Sequence, residues 1–239
     1  MSPEALPKSL DPEFDAFADN YDEALQRGLR VSGEGKEFFA AGRLRWLQRR
    51  LNERNHAAGA IMDFGCGTGT STAGLLGLVG ARSLVGTEVS ERSLAVARRE
   101  RGEPRARFEL LGDYRPAGRL DLAFCNGVFH HIPPDQRAAS LAFLHNSLRP
   151  GGLFALFENN PWNPGTRWVM SRIPFDREAV TLSPPETRSR LRSAGFEIVG
   201  TDFLFFFPRP LAWFRGLEPV LRGLPLGAQY LVLARRPLR

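Results

Sequence analysis

Reactive and ligand-binding side chains recur at the ends of short apolar runs in this sequence. Asp63 closes the run Ile61-Met62, and Gly65, Gly67 and Gly69 follow at alternate positions. Glycine is needed where the backbone takes positive φ or where a ligand comes close to the main chain. The helix expected after Thr70-Ser71-Thr72 offers free N–H groups and a partial positive charge. Such a turn is suited to receive a ligand, and the carboxylate beside it suits a cationic end more than a pyrophosphate. Glu88 lies 19 residues beyond Gly69, at the end of a second apolar run. An acid there can accept both hydroxyls of a ribose. His130 and His131 follow a later run, and Glu158 ends the next one. Neighbouring side chains do not point the same way, so one histidine can face a cleft while the other faces core or solvent. Glu158 can hold an imidazole in one tautomer for proton transfer.

These residues need a scaffold of alternating strands and helices. The first strand ends at Asp63 and its helix runs to about Val79. Ser-Leu-Val-Gly-Thr-Glu-Val is the second strand, with Ser90 able to cap the helix after it. Ala-Arg-Phe-Glu-Leu-Leu-Gly is the third, followed at once by Asp113-Tyr114. Leu-Asp-Leu-Ala-Phe-Cys-Asn-Gly-Val-Phe is the fourth. A helix carrying Leu141, Leu144 and Leu148 comes next, closed by Arg-Pro-Gly-Gly, and the fifth strand then ends at Glu158. A helix starts at Ser183 with prolines in its first turn and stops at Gly195. The Phe-rich run from Phe196 to Phe207 reads as a sixth strand, and Gln-Tyr-Leu-Val-Leu-Ala-Arg-Arg as a seventh. Upstream, Phe14, Phe17, Tyr21 and Leu25 have helical spacing. In the next helix Ala40, Leu44, Leu47 and Leu51 form an apolar stripe, with Arg43, Arg45, Arg49 and Arg50 expected to face elsewhere. Residues 159–183 and 208–227 are long connections, which in a compact domain are often functional.

The stretch Asp63-x-Gly-x-Gly-x-Gly resembles motif I of the class I S-adenosylmethionine-dependent methyltransferases. Glu88, the acid after the third strand and the Arg-Pro-Gly-Gly…Glu158 order are similar to that family's later motifs, so the resemblance covers roughly residues 14–237. It implies an α/β, Rossmann-like doubly wound sheet of seven strands in order 3-2-1-4-5-7-6, mostly parallel with an antiparallel last strand. It implies a single domain over 1–239, with 13–53 as an N-terminal helical cover and 159–183 and 208–227 as substrate-side insertions. S-adenosylmethionine would be the cofactor and S-adenosylhomocysteine the product. Cofactor contacts are expected from Tyr21, Arg43, Asp63, Gly65, Cys66, Gly67, Gly69, Glu88, Val89, Gly112, Asp113, Tyr114 and Asn126. Tyr21 and Arg43 would approach the methionine end, and Asp113 the adenine. Tyr21, Phe129 or Trp162 could touch the sulfonium through an aromatic face. His130, His131 and Glu158 are the candidate catalytic set for a hydroxyl acceptor. Methyl transfer from a sulfonium needs no metal, and none is expected.

Composition bounds the alternatives. The chain of 239 residues carries a net charge of +6, but its only lysines are Lys8 and Lys36 and its arginines are scattered. Nucleic acid is therefore not the expected partner; a small-molecule acceptor is. No apolar run is long enough to span a bilayer, and residues 1–12 hold no signal-type apolar segment. Cys66 and Cys125 lack metal-ligand spacing and read as buried thiols of a reducing cytoplasm. A nicotinamide enzyme is disfavoured because Thr70 stands where its third glycine would be. The histidine pair is open to a second reading as packing alone, and the whole domain to one as a non-catalytic binding module. The aromatics Phe203–Phe207 and Trp213-Phe214 admit buried packing, favoured for Phe203 and Phe205, an apolar acceptor channel shared with Trp162 and Trp168, or a membrane or dimer patch. The acceptor, its atom (oxygen, carbon or nitrogen) and the oligomeric state are left open by the sequence.

Overall fold

The computed structural model describes residues 28, 29, 32–78, 81–173, 176 and 179–238. α1 (Lys36–Asn52) leads to β1 (Ala60–Phe64), α2 (Thr72–Leu78), β2 (Ser83–Glu88), α3 (Glu91–Arg101), β3 (Ala106–Leu110) and β4 (Leu120–Asn126). After these come α4 (Arg137–Ser147), β5 (Leu148–Asn159), α5 (Pro164–Met170), α6 (Pro184–Ser193) and β6 (Glu197–Leu204). A 3-10 helix (Arg209–Leu217), α7 (Glu218–Leu221) and β7 (Gln229–Arg235) complete the order. The strands form one sheet, β3-β2-β1-β4-β5-β7-β6. Neighbours from β3 to β5 are parallel, and β7 runs antiparallel to both β5 and β6. This is the order and sense that the sequence resemblance implied.

The central strands are apolar on both faces, as a sheet covered by helices on each side requires. Met62, Phe64, Ala123, Cys125, Phe154 and Leu156 belong to one core, while Ile61, Leu122, Phe124, Leu153, Ala155 and Phe157 belong to the other. Successive residues thus alternate between the two cores. Helix starts are fixed locally. Ser90 Oγ accepts from Ser93 N at 3.1 Å, and Ser183 caps α6 ahead of two prolines. Among the described residues no helix is long and apolar enough to cross a membrane.

Three expectations are corrected. Arg-Pro-Gly-Gly does not stand between helix and strand but lies inside β5. The pairing with β4 jumps from Leu120↔Leu148 to Leu122↔Leu153, so these residues bulge out, with Gly151 at φ +79°. The sixth strand stops at Leu204 rather than Phe207, because Phe205 takes φ +62° and turns the chain out of the sheet. Arg43 and Arg50 are buried rather than turned away from the stripe of α1. The strands beneath supply acceptors: Arg50 Nε is 2.9 Å from an Asp202 oxygen on β6, and Arg43 Nη1 donates to Gln229 Oε1 on β7 at 3.0 Å. Long stems can lie on apolar surface while the heads reach such partners. The helix expected around Phe14–Leu25, and with it Tyr21, lies outside the described residues.

Candidate active site

The glycine turn sits where β1, at the centre of the sheet, meets α2. Gly65 N and Cys66 N both donate to Thr87 O, at 2.8 and 3.1 Å, which fastens the turn to β2. Gly65, Gly67 and Gly69 all have positive φ. A Cβ on Gly65 would come within 2.4 Å of Val128, whereas one on Gly67 would meet nothing within 4 Å. Steric closeness thus explains the first glycine, and an open approach to the backbone explains the second.

Two carboxylates flank this turn in different environments. Glu88 is half-buried; its Oε2 accepts from Gly67 N at 2.9 Å and its Oε1 from Val89 N at 2.7 Å and Ser90 N at 3.2 Å. Asp63 is 3% exposed, and its Oδ2 has no hydrogen-bond partner among the described residues. Burial, then the charge of Glu88, pushes the Asp63 carboxyl up to about 7, while Arg43 pulls the other way. Asn126 Oδ1, at the tip of β4 next to β1, is a second buried acceptor with no partner among the described residues. Buried acceptors are nearly always satisfied. Two such acceptors at the ends of neighbouring strands therefore suit a ligand that brings hydrogen-bond donors.

The histidine pair lies on the turn after β4. Glu158 Oε1 accepts from Phe129 N at 2.8 Å, and Oε2 accepts from His130 Nδ1 at 2.5 Å. On its other side, His130 Nε2 lies 3.5 Å from Asp176 Oδ1. His131 Nε2 lies 3.3 Å from the same oxygen, and the two rings are 4.1 Å apart, centre to centre. Burial alone would lower His130, but the charge of Glu158 and the Asp176 contact outweigh it and raise it to about 10. His131 is lowered, chiefly by burial. Burial would raise Asp176, and the two imidazoles hold it below the usual carboxylate range instead.

A cleft of about 360 Å³ opens beside this cluster. Arg43, Asn126, Gly127, His130, His131 and Asp176 are among its polar lining. Phe38, Phe39, Phe205, Phe206, Val169 and Ile173 form an apolar wall. Phe205 packs edge-on to Phe39 at 4.9 Å and lies against Gly42 of α1, where a Cβ would clash at 2.5 Å. Phe205 is thus cleft wall rather than strand interior, whereas Phe203 is buried as expected.

The structure brings Arg43, Asn126, His130 and His131 to one cleft. It gathers Asp63, Gly65, Cys66, Gly67, Gly69, Glu88 and Val89 around the turn between β1 and α2, and none of these seven lines the cleft. Asp113 is exposed in the turn after β3, with Gly112 before it. Tyr114 does not join them: it is 7% exposed and its ring packs edge-on against Phe143 in the core. Phe129 is likewise core, between Phe64 and Phe154, and so does not face a sulfonium. Trp162 is half-exposed and outside the lining of the cleft. Asp176 and Gln229 were not singled out from the sequence. The one signal for Asp176 was the unusual length of the 159–183 connection that carries it.

Comparison with known proteins follows the same lines. A family model described as a methyltransferase domain matches residues 61–152. The carboxy-S-adenosyl-L-methionine synthase of Chromohalobacter salexigens is 31% identical over 65% of this chain and 68% of its own length. The trans-aconitate 2-methyltransferase of Variovorax paradoxus is 28% identical over 74% of this chain and 75% of its own. Among solved structures, an S-adenosylmethionine-dependent methyltransferase from Mesorhizobium loti superposes with a TM-score of 0.59 at 22% identity. That match covers 79% of this chain and 96% of that one, and it speaks for the fold.

Proposed function

Because the chain belongs to the class I S-adenosylmethionine-dependent methyltransferase superfamily, and is an S-adenosylmethionine-dependent enzyme, we propose that its acceptor is a hydroxyl oxygen of a small molecule with an apolar body. S-adenosylmethionine supplies, when bound, an electrophilic methyl group on a sulfonium and leaves as S-adenosylhomocysteine. Asp63 takes the ammonium of the methionine end, supported by its unsatisfied Oδ2, with Asn126 and Arg43 beside it. Glu88 turns from the backbone N–H groups it now holds to the ribose hydroxyls. Gly65, Cys66, Gly67, Gly69 and Val89 shape that turn, and Gly112 and Asp113 lie at the adenine side. Residues 13–53 serve as cover, and 159–183 and 208–227 as the acceptor side, of a single domain.

His131 carries the oxygen assignment. It lines the cleft with its Nε2 3.3 Å from Asp176 Oδ1, while His130 is buried between two carboxylates. As the acceptor oxygen bonds to the methyl carbon and the carbon–sulfur bond breaks, the hydroxyl proton passes to His131. Glu158 and His130 position that group rather than touch the acceptor. In His131→Ala, turnover should fall about 10²–10⁴-fold while calorimetry still reads wild-type S-adenosylhomocysteine binding. Full turnover in that variant would refute the role.

A carboxylate acceptor is the second reading, favoured by Lys36, Arg43 and Arg215 in the same cleft. A carboxylate is already ionised and needs no base. Under that reading His131→Ala keeps its turnover and Arg215→Gln loses it, so the two variants separate the cases.

A further inference from the structure

Both histidines present the same ring nitrogen to one carboxylate oxygen, Asp176 Oδ1, at 3.5 Å from His130 and 3.3 Å from His131. One ligand-capable atom from each of the three residues lies within 4.8 Å of the others. Charge-assisted N–H···O bonds settle at about 2.7–2.9 Å, and the His130–Glu158 contact is shorter still at 2.5 Å. Both contacts to Asp176 are several tenths of an ångström too long for that. They are close to the edge of a tetrahedron: arms of about 2.0–2.1 Å, the usual zinc–nitrogen and zinc–oxygen lengths, give edges of about 3.3–3.4 Å, so small shifts of the side chains would seat an ion.

We infer that His130 Nε2, His131 Nε2 and an Asp176 carboxylate oxygen form a binding site for one divalent transition-metal ion of the zinc or cobalt kind. Two imidazoles and one carboxylate suit such ions better than magnesium or calcium, which prefer oxygen alone. The supporting shell is already in place. Glu158 accepts from His130 Nδ1, so an ion arriving at Nε2 displaces only the proton shared with Asp176, and a carboxylate behind a ligating histidine is the rule at such sites. All three residues line the cleft, so the fourth corner opens into it. Three protein ligands and one open position is the pattern of catalytic rather than structural zinc.

What fills that corner rests on the acceptor-site reading above: an acceptor oxygen bound there would be acidified by the ion. Coordination at His131 would then take the place of proton acceptance by its imidazole. The binding itself does not depend on that reading.

The test uses tag-free full-length protein, stripped with a chelator and dialysed. Zn²⁺ is titrated by calorimetry and Co²⁺ by visible absorption. The expected result is one ion per chain at micromolar dissociation constant or below, with the intense d–d bands of low-coordinate cobalt. Asp176→Ala and His131→Ala, each checked for a wild-type melting profile, should weaken binding at least tenfold. Glu100→Ala, an exposed acid on α3, should leave it unchanged. Wild-type binding no tighter than millimolar, or binding undiminished in both site variants, would overturn the assignment. S-adenosylhomocysteine titration of the same stripped sample keeps the two claims apart: binding there with no metal uptake removes the ion alone, and failure to bind removes the methyltransferase reading alone.

Discussion

Asp63 is a residue whose place is costly to the fold and useful to the site. Its carboxyl is raised from 3.8 to about 7, first by burial and then by Glu88. A group raised in the folded state stabilises in full below its unfolded value, and that contribution is lost as pH rises to the folded value. Above pH 7 the buried carboxylate is therefore a burden on the ligand-free protein. Asp63→Asn should raise the ligand-free melting temperature at pH 8 by roughly 2–8 °C, for about 1–2 kcal/mol, and leave it little changed at pH 4. The same variant should weaken S-adenosylmethionine binding at least 100-fold by calorimetry. Loss of stability at pH 8, or retained affinity, would contradict the account. Gly65→Ala should fail for another reason. Its Cβ would meet Val128 at 2.4 Å in a backbone at φ +70°, so both melting temperature and cofactor affinity should drop.

At the scale of elements, α1 is fastened to the far edge of the sheet by a buried polar node. Asp202 of β6 accepts from Trp46 Nε1 at 3.0 Å and pairs with Arg50 at 2.9 Å, and both charged side chains are 6% exposed. Arg50 also holds Glu53, its Nη1 donating to Glu53 Oε2 at 2.5 Å, so removing Asp202 leaves the guanidinium with that acid and deprives the Trp46 indole N–H of its acceptor. Asp202→Ala should cost about 1–3 kcal/mol in urea unfolding, chiefly from the Trp46 and Arg50 donors left without their acceptor. This node also shows where sequence reading stopped. The strands, the Ser90 and Ser183 caps and the glycine turn follow from local patterns, and the structure contains them. Arg43 and Arg50 were misjudged because their acceptors, Gln229 and Asp202, stand over 150 residues away. The end of β6 at Leu204 was missed because the five apolar residues Phe203–Phe207 give no local reason to stop. Asp63, Glu88 and Glu158 stood out in the sequence because each lies at the end of an apolar strand, and His130 because it follows one closely. Asp176 ends none, and only the folded chain brings it to the histidines.

For the whole molecule, the cleft reaches well beyond the matched family segment, which supplies Asn126, Gly127, His130 and His131 to it. The model match ends at residue 152, while the cleft takes further walls from α1, from residues 159–173 and Asp176, and from residues 205–229. Cofactor binding should thus tie distant segments together. At a ligand concentration of 100 times Kd, S-adenosylhomocysteine should add about 2.7 kcal/mol, or roughly 5–10 °C in melting temperature, measured by differential scanning calorimetry. A shift of under a degree at that saturation would mean that the ligand does not bridge these parts.

The position of β7 has a consequence for how the chain is made. It lies between β5 and β6, so β6 has no partner until residues 229–235 arrive. On the ribosome, the first five strands can pair as they emerge, but the acceptor half stays open until the last strand has left the exit tunnel. A nascent chain halted before Gln229 would show protease-sensitive β6 and α1 beside a protected glycine turn.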